Sequence, residues 1–276
     1  MASPLPAAPG RAGTPASGRR GELRRQMTEL GRQDFLRRHP DAHFGPVVAL
    51  FASYLEADNI GPVLRRVPTE SHGMAVSTLV VVDGGDDSTD EVVAEAGAYC
   101  AVLPVNMGQG VALRLGYQLA AEHGAKYVVT VDADGQDEPG AISDLLAPLV
   151  SGEADFVIAS RRLGTDETTD PMRRAGAVVF SAVINRLIGQ HLTDTSNGLR
   201  ALRIEVLEDV TLEQDQYQTA ELIISAAARG WRLAEVPVVR HPRTSGTSKK
   251  GRNALFAYRY ARVIARTWWR ERRRSR

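Results

Sequence analysis

The densest chemistry in this chain sits in Asp132-Ala133-Asp134-Gly135-Gln136-Asp137-Glu138, four carboxylates within seven residues. The run before it, Val128 to Val131, is β-branched, fits a packed pleated surface and reads as a buried strand. Pro139 follows, suited to the first position of a helix. Carboxylates at the carboxyl end of a central strand lie in the crevice where open α/β sheets bind ligands. Asp132 and Asp134, two residues apart, share a face on regular strand geometry and at a strand end reach one ion. Hard oxygen donors suit Mg²⁺ or Mn²⁺, which keep water and bind substrate phosphates through one or two carboxylates. The competing reading is an acidic turn that only caps the next helix. This segment alone does not choose between them.

Two further turns have the same character. Asp83-Gly84-Gly85-Asp86-Asp87-Ser88-Thr89-Asp90 again passes from an apolar strand through acids and glycines into a helix start. Asn106-Met107-Gly108-Gln109-Gly110 opens another helix, with glycines that allow positive φ and a close backbone approach, as a nucleotide requires. A glycine turn of no function explains either one singly. Three such turns on one sheet edge favour a ligand site.

The elements that must position these turns alternate. Strands are expected at 47–53, 75–82, 99–103, 128–132, 155–159 and 232–239, with a short one near Arg200. Helices are expected at 57–67, 88–96, 109–123, 139–150, 171–189 and 217–229, and from about 253 to 270. This order predicts an α/β fold, a mostly parallel sheet with helices on both faces. Thr78-Leu79-Val80-Val81-Val82 looks buried on both sides, as parallel strands are. Residues 1–20 lack large apolar side chains and are expected to be a disordered tail. In 21–45, Leu23, Met27 and Leu30 fall at helical spacing, for packing on the body or on a second subunit as a homodimer. The body is then 46–250, and 251–276 a basic helix and tail.

The 43% hydrophobic and 24% charged residues are those of a globular protein. Cys100 is the single cysteine, which excludes an intramolecular disulfide framework and a thiolate zinc site and fits a reducing cytoplasm. No secretory signal or spanning segment is expected. The net charge of +1 is uneven: residues 249–276 hold 11 Lys+Arg against Glu271 alone, and the remainder has a net of −9. Arg259, Arg262, Arg266 and Arg270 share a helical face, with Phe256, Tyr260, Val263, Ile264 and Trp268 on the rest. Such a helix either lies in an anionic membrane interface, at the inner face of the membrane, or packs on the body with a solvated basic face. No nucleic-acid-binding motif accompanies the charge.

From Val47 to Lys249 the chain resembles an inverting family 2 glycosyltransferase of GT-A fold, nearest the dolichyl- or polyprenyl-phosphate sugar synthases. Ser53-Tyr54-Leu55-Glu56-Ala57-Asp58-Asn59-Ile60 resembles the family's Thr-Tyr-Asn-Glu-x-x-Asn-Ile, with Leu55 in place of Asn. Asp83 resembles the aspartate that reads the nucleobase, and Asp86 is the alternative, since the turn holds extra residues. Asn106-x-Gly108-x-Gly110-x-Ala112-x-Arg114 matches a helix start, with Gln109 where Lys is common. Asp132-Ala133-Asp134-Gly135-Gln136 matches the metal motif. Ser160-Arg161, Asp194 to Arg200, and Glu235-Val236-Pro237 followed by Arg243 to Lys249 match in order.

The resemblance implies a Rossmann-like sheet, a nucleoside-diphosphate sugar donor and Mn²⁺ or Mg²⁺ on Asp132, Asp134 and Gln136. It implies donor contacts from Ser53, Tyr54, Glu56, Asp83 or Asp86, Asn106, Gly108, Arg114, Ala133, Arg161, Arg200, Arg243, Ser248 and Lys249. A hydroxyl acceptor needs a base, for which Asp194 and Glu221 are the candidates; a polyprenyl phosphate is already anionic and needs none. A small molecule is the other acceptor. A UDP-sugar is the first donor and GDP-mannose the second; Arg161, Arg162, Arg173 and Arg174 would suit a uronic acid. A nucleotidyltransferase and a non-catalytic nucleotide-sugar-binding protein are the remaining alternatives.

Overall fold

The computed structural model describes residues 16–167, 171–242 and 254–274. Helix α1 (Ala16–Arg38) precedes β1 (Val47–Ser53), α2 (Ala57–Leu64), β2 (Glu70–Ser71), β3 (Met74–Val82), α3 (Thr89–Glu95) and β4 (Tyr99–Val102). Then come α4 (Gln109–Glu122), β5 (Tyr127–Asp132), a 3-10 turn at Pro139–Ala141, α5 (Ile142–Val150) and β6 (Phe156–Asp166). The chain continues through α6 (Pro171–Ile188), β7 (Arg200–Arg203), α7 (Ile204–Asp209), α8 (Gln218–Ala228), β8 (Leu233–Arg240) and α9 (Ala254–Arg274).

Side-chain alternation along the strands builds the layers. In β1, Val47, Ala49 and Phe51 face α2 and α5 together with Val80, Val82, Val129 and Val131. Val48 and Leu50 point the other way, against α1 and α4 with Leu79, Val81 and Val128. Both faces are dry, as a mostly parallel sheet requires. The strand order is β2-β3-β1-β5-β7-β6-β8, with β4 also pairing β3. Strands β4, β3, β1 and β5 run parallel, β7 is antiparallel to both β5 and β6, and β6 and β8 are again parallel. Beyond β7 a separate apolar cluster joins α6, α8 and α9.

Three elements depart from expectation. Strand β6 extends to Asp166 because it pairs with β8 as far as Arg240, across a register break between Ser160 and Thr165. Its polar stretch Arg161-Arg162 hid the strand from an apolar pattern. Strand β2 and helix α7 are too short for periodicity to show. Helix α1 docks on its own body: Phe35 is wholly buried, and Arg24 pairs with Asp215 at 2.5 Å. Among the described residues no helix is long and apolar enough to cross a membrane.

The layer of α8 and α9 is held by an ion pair. Glu221 in α8 is fully buried and accepts Arg270 Nη1 at 2.9 Å, together with the backbone N–H groups of Glu213 and Gln214 at 2.9 Å each. This bears on two expectations. Glu221, a candidate base by sequence, is engaged by an arginine and two amides within this layer, and Arg270 turns inward instead of joining the solvated arginine face. Removing one member of a buried pair strands the other charge, so Arg270→Met is expected to destabilise the protein by about 3–5 kcal/mol. Urea denaturation measures this directly.

Candidate active site

The parallel register sets the edge of the site. Ser53 pairs with Val82 and Ala52 with Asp132, so the residues following β1, β3 and β5 emerge side by side. Ser53 Oγ is buried with no partner. The turns after β1 and β3 are tied together: Thr89 Oγ1 accepts the Glu56 N–H and donates to Asp87 Oδ2, which also accepts the Ala57 N–H at 3.1 Å. Leu55 holds φ at +53°. Asn tolerates that region better than a branched aliphatic residue, for which it costs about 1–2 kcal/mol. This is a physical reason for the Asn found at that position in the sequences this turn resembles.

Asp83 faces the third turn. Its two carboxylate oxygens accept the Met107 N–H at 2.7 Å and the Gly108 N–H at 2.8 Å, fixing the start of α4. Burial pushes its carboxyl up to about 6 despite those two hydrogen bonds. Asp86 and Asn106 are exposed on the same edge. The glycines serve a purpose other than the expected one. A Cβ on Gly108, at φ +97°, would meet Asp215 O at 2.7 Å, and one on Gly110 would meet Gln214 O at 2.2 Å. The backbone that approaches them is the chain's own 214–215 segment. Arg114 is spent there too, donating to Gln214 O at 2.6 Å and pairing with Asp215 at 3.3 Å.

At the end of β5, Asp132 Oδ1 accepts Gln109 Nε2 at 3.4 Å, and Oδ2 lies 3.8 Å from Arg240 Nη2. Gly198 makes room for this carboxylate: a Cβ there would come within 2.6 Å of Asp132 Oδ1. Asp134 accepts the Gln136 N–H at 3.2 Å and is nearly buried, as is Ala133. Gln136 departs from its expected role as an open ligand. Its Oε1 accepts Arg240 Nη2 at 2.9 Å and its Nε2 donates to His241 O at 3.2 Å, so the amide clamps the end of β8. Two carboxylates in a tight, oxygen-rich turn fit Mg²⁺ or Mn²⁺ bound together with phosphate oxygens. Among the described residues no group of three His, Cys, Asp or Glu forms a closed cation site.

Asp194 is held by Arg161, whose Nε and Nη2 donate to it at 2.6 and 2.8 Å. Burial alone would raise its carboxyl, yet the Arg161 contacts outweigh this and hold it below the usual range. Arg200, expected to contact phosphate, is engaged inside the protein. It is 1% exposed and donates to Thr219 Oγ1 and to the Tyr117 hydroxyl at 3.0 Å. Arg243, Ser248 and Lys249, with most of the expected loop 241–251 and the 1–15 part of the N-terminal tail, lie outside the described residues.

Residues 50–211 match the family model described as glycosyl transferase family 2. The chain belongs to this family. A dolichyl-phosphate hexose transferase of Haloferax volcanii is 32% identical to this glycosyltransferase over 204 residues, 74% of this chain and 86% of that protein. A UDP-N-acetylglucosamine–dolichyl-phosphate N-acetylglucosaminyltransferase of Methanococcus voltae is 30% identical over 159 residues, 56% of this chain and 63% of that protein. These relatives place the enzyme with the dolichyl- and polyprenyl-phosphate sugar synthases. The fold is also that of Mycobacterium tuberculosis glucosyl-3-phosphoglycerate synthase crystallised with Mn²⁺, UDP-glucose and phosphoglyceric acid. The two share a TM-score of 0.64 and 18% identity, with 86% of this chain and 83% of that chain covered. The GT-A architecture expected from sequence is therefore present, and family membership sets aside the nucleotidyltransferase and non-catalytic readings.

Sequence reasoning missed three residues of this glycosyltransferase's edge: Asp87, Asp137 and Arg240. The first two lie inside acidic turns already singled out, but nothing in a turn's composition says which acid faces inward. Arg240 ends an apolar strand and gave no signal. Asp83 offers a test. Its folded pKa lies above the ordinary 3.8, so the folded state holds the extra proton. Its contribution is full below 3.8 and is lost as pH rises through about 6. Asp83→Asn is expected to remove that decline, read as the unfolding free energy of both proteins across this window.

Proposed function

We propose that this glycosyltransferase moves a hexose-type sugar from a nucleoside diphosphate to a polyprenyl phosphate, with inversion at the anomeric carbon. The observation that carries the reading is the state of the two acids considered as bases: Asp194 and Glu221 are each engaged by an arginine. An acceptor hydroxyl would require one of them to be available. A phosphate acceptor, with a second pKa of about 6, is an anionic nucleophile at neutral pH and requires neither.

Ser53, Tyr54, Glu56 and the Asp83–Asp86 turn line the nucleoside side, with Asn106 and Gly108 beside them. Asp132 and Asp134 are the residues for Mn²⁺ or Mg²⁺, which would neutralise charge on the departing diphosphate. Arg243, Ser248 and Lys249 remain phosphate contacts by sequence resemblance. A UDP-sugar is the first donor, supported by the donor named in the Methanococcus relative, and GDP-mannose is the second.

Peripheral contact with the inner face of the membrane fits a lipid acceptor. Helix α6 exposes Val178, Val179 and Val183, and α9 beside it exposes Tyr258 and Trp269. Arg259, Arg262, Arg266 and Arg273 are exposed on α9, with Arg273 stacked 3.7 Å over the Trp269 ring. Aromatic and basic side chains on one helix suit an anionic lipid interface.

Two measurements test this. Transfer of labelled sugar from UDP- and GDP-sugars into a solvent-extractable polyprenyl-phosphate product is expected to depend on Mn²⁺ or Mg²⁺, and Asp132→Asn is expected to reduce it about 100-fold or more. Transfer to small molecules only would overturn the acceptor assignment. In co-sedimentation with vesicles, binding to anionic lipid is expected to fall several-fold in Trp269→Ala/Arg273→Ala. Equal binding to neutral vesicles would count against the charge argument.

A further inference from the structure

Arg240 has no part in the reading above, yet it sits inside the site. Arg240 is 4% exposed. Nη2 donates to Gln136 Oε1 at 2.9 Å and lies 3.8 Å from Asp132 Oδ2. Asp132 is one of the two carboxylates proposed to hold the divalent ion, and Gln136 follows them in the same turn. A guanidinium therefore rests against part of the ion's own ligand set.

Asp137 supplies the second observation. It lies opposite Arg240 in an antiparallel backbone bridge, its side chain is wholly buried, and neither carboxylate oxygen has a hydrogen-bond partner. A buried, unsatisfied carboxylate calls for an explanation, because buried acids are otherwise paired or hydrogen-bonded. The charged groups around it are Asp132 and Asp134, which repel it, and Arg240 and Arg161, which attract it. Arg161 is committed to Asp194 through both Nε and Nη2. Arg240 makes a single side-chain hydrogen bond among the described residues, to Gln136.

We propose that Arg240 is a resident cation that occupies the divalent-ion seat in the metal-free enzyme and swings to Asp137 when the ion binds. The inference rests on the reading of Asp132 and Asp134 as the ion-binding pair. Asp137 then has a purpose: it is the second seat that keeps the displaced guanidinium from being stranded in the interior. The exchange also makes ion binding conditional. The ion alone must displace Arg240, whereas a diphosphate adds negative charge that favours both cations together. By linkage, ion and nucleoside diphosphate each strengthen the other's binding.

The test is Mn²⁺ affinity of the full chain, read by the electron paramagnetic resonance signal of free Mn²⁺ in alkaline buffer, with and without UDP. Arg240→Gln is expected to tighten Mn²⁺ binding without UDP by about tenfold, since competitor and repelling charge are both gone. Arg240→Lys keeps the charge without the fork and falls between the two. Asp137→Asn, of nearly unchanged shape, is expected to weaken binding by about tenfold, because one negative charge near the ion and the second seat are lost. Circular dichroism and melting curves establish that each variant folds, and Asp137→Asn decides the matter alone if Arg240→Gln does not. Weaker binding in a folded Arg240→Gln, or unchanged binding in Asp137→Asn, overturns the proposal. If the wild type binds no Mn²⁺ even with UDP, the ion-pair reading falls and this inference with it. If the wild type binds and all variants match it, only the arginine exchange falls.

Discussion

Each buried carboxylate in this protein must be given donors or a counter-charge, since moving an ionised acid out of water is costly. That constraint organises the molecule. Asp83 is met by two backbone N–H groups at the start of α4, and so joins β3 to the glycine turn. Asp194 is met by Arg161, which fixes the loop before β7 against β6. Glu221 is met by Arg270, which ties α8 to α9 and, through two more amides, secures the 213–214 segment. At the end of β5, Arg240 lies beside Asp132 and, together with Arg161, attracts the buried Asp137.

The sheet creates this situation. Parallel strands bring their carboxyl ends to one edge, and three of those ends carry acids or an orphaned polar group. Apolar residues on both faces of β1, β3 and β5 leave no way to solvate the acids from beneath. The reversed strand β7 sits next to β5, and Gly198 in the loop leading into it lies close to Asp132, so the segment that breaks the parallel order also leaves the carboxylate its space.

The fold was legible because its signals are local. The alternation of β-branched runs with helical spacing located β1, β3, β5 and α4 to within a residue or two. The acidic and glycine turns located the edge, and the family motifs named its chemistry. Residue roles were less legible because a side chain's type does not reveal its partner. Arg114, Arg200 and Glu221 have the chemistry of phosphate contacts and bases, yet each is used up inside the protein. Gln136 was expected to help hold the ion, yet its amide is bound to Arg240 and to the His241 carbonyl, more than a hundred residues away. The glycines of the Asn106 turn were rightly read as permitting close approach, with the chain itself as the thing that approaches.

The sequence by itself determined the family, the α/β layering, and the acid-rich strand ends at Asp83 and Asp132, because these depend on short-range periodicity and on motifs contiguous in the chain. Tertiary structure decided which donor or counter-charge the buried acids meet. That outcome depends on Arg161, Arg240 and Arg270 arriving from β6, β8 and α9, and no local pattern encodes where a distant strand or helix will deliver its charge. The stretch Asp132-Ala133-Asp134 carries the residue pattern of a cation site. Only the fold brings Arg240 to within 3.8 Å of Asp132 and buries Asp137 opposite it.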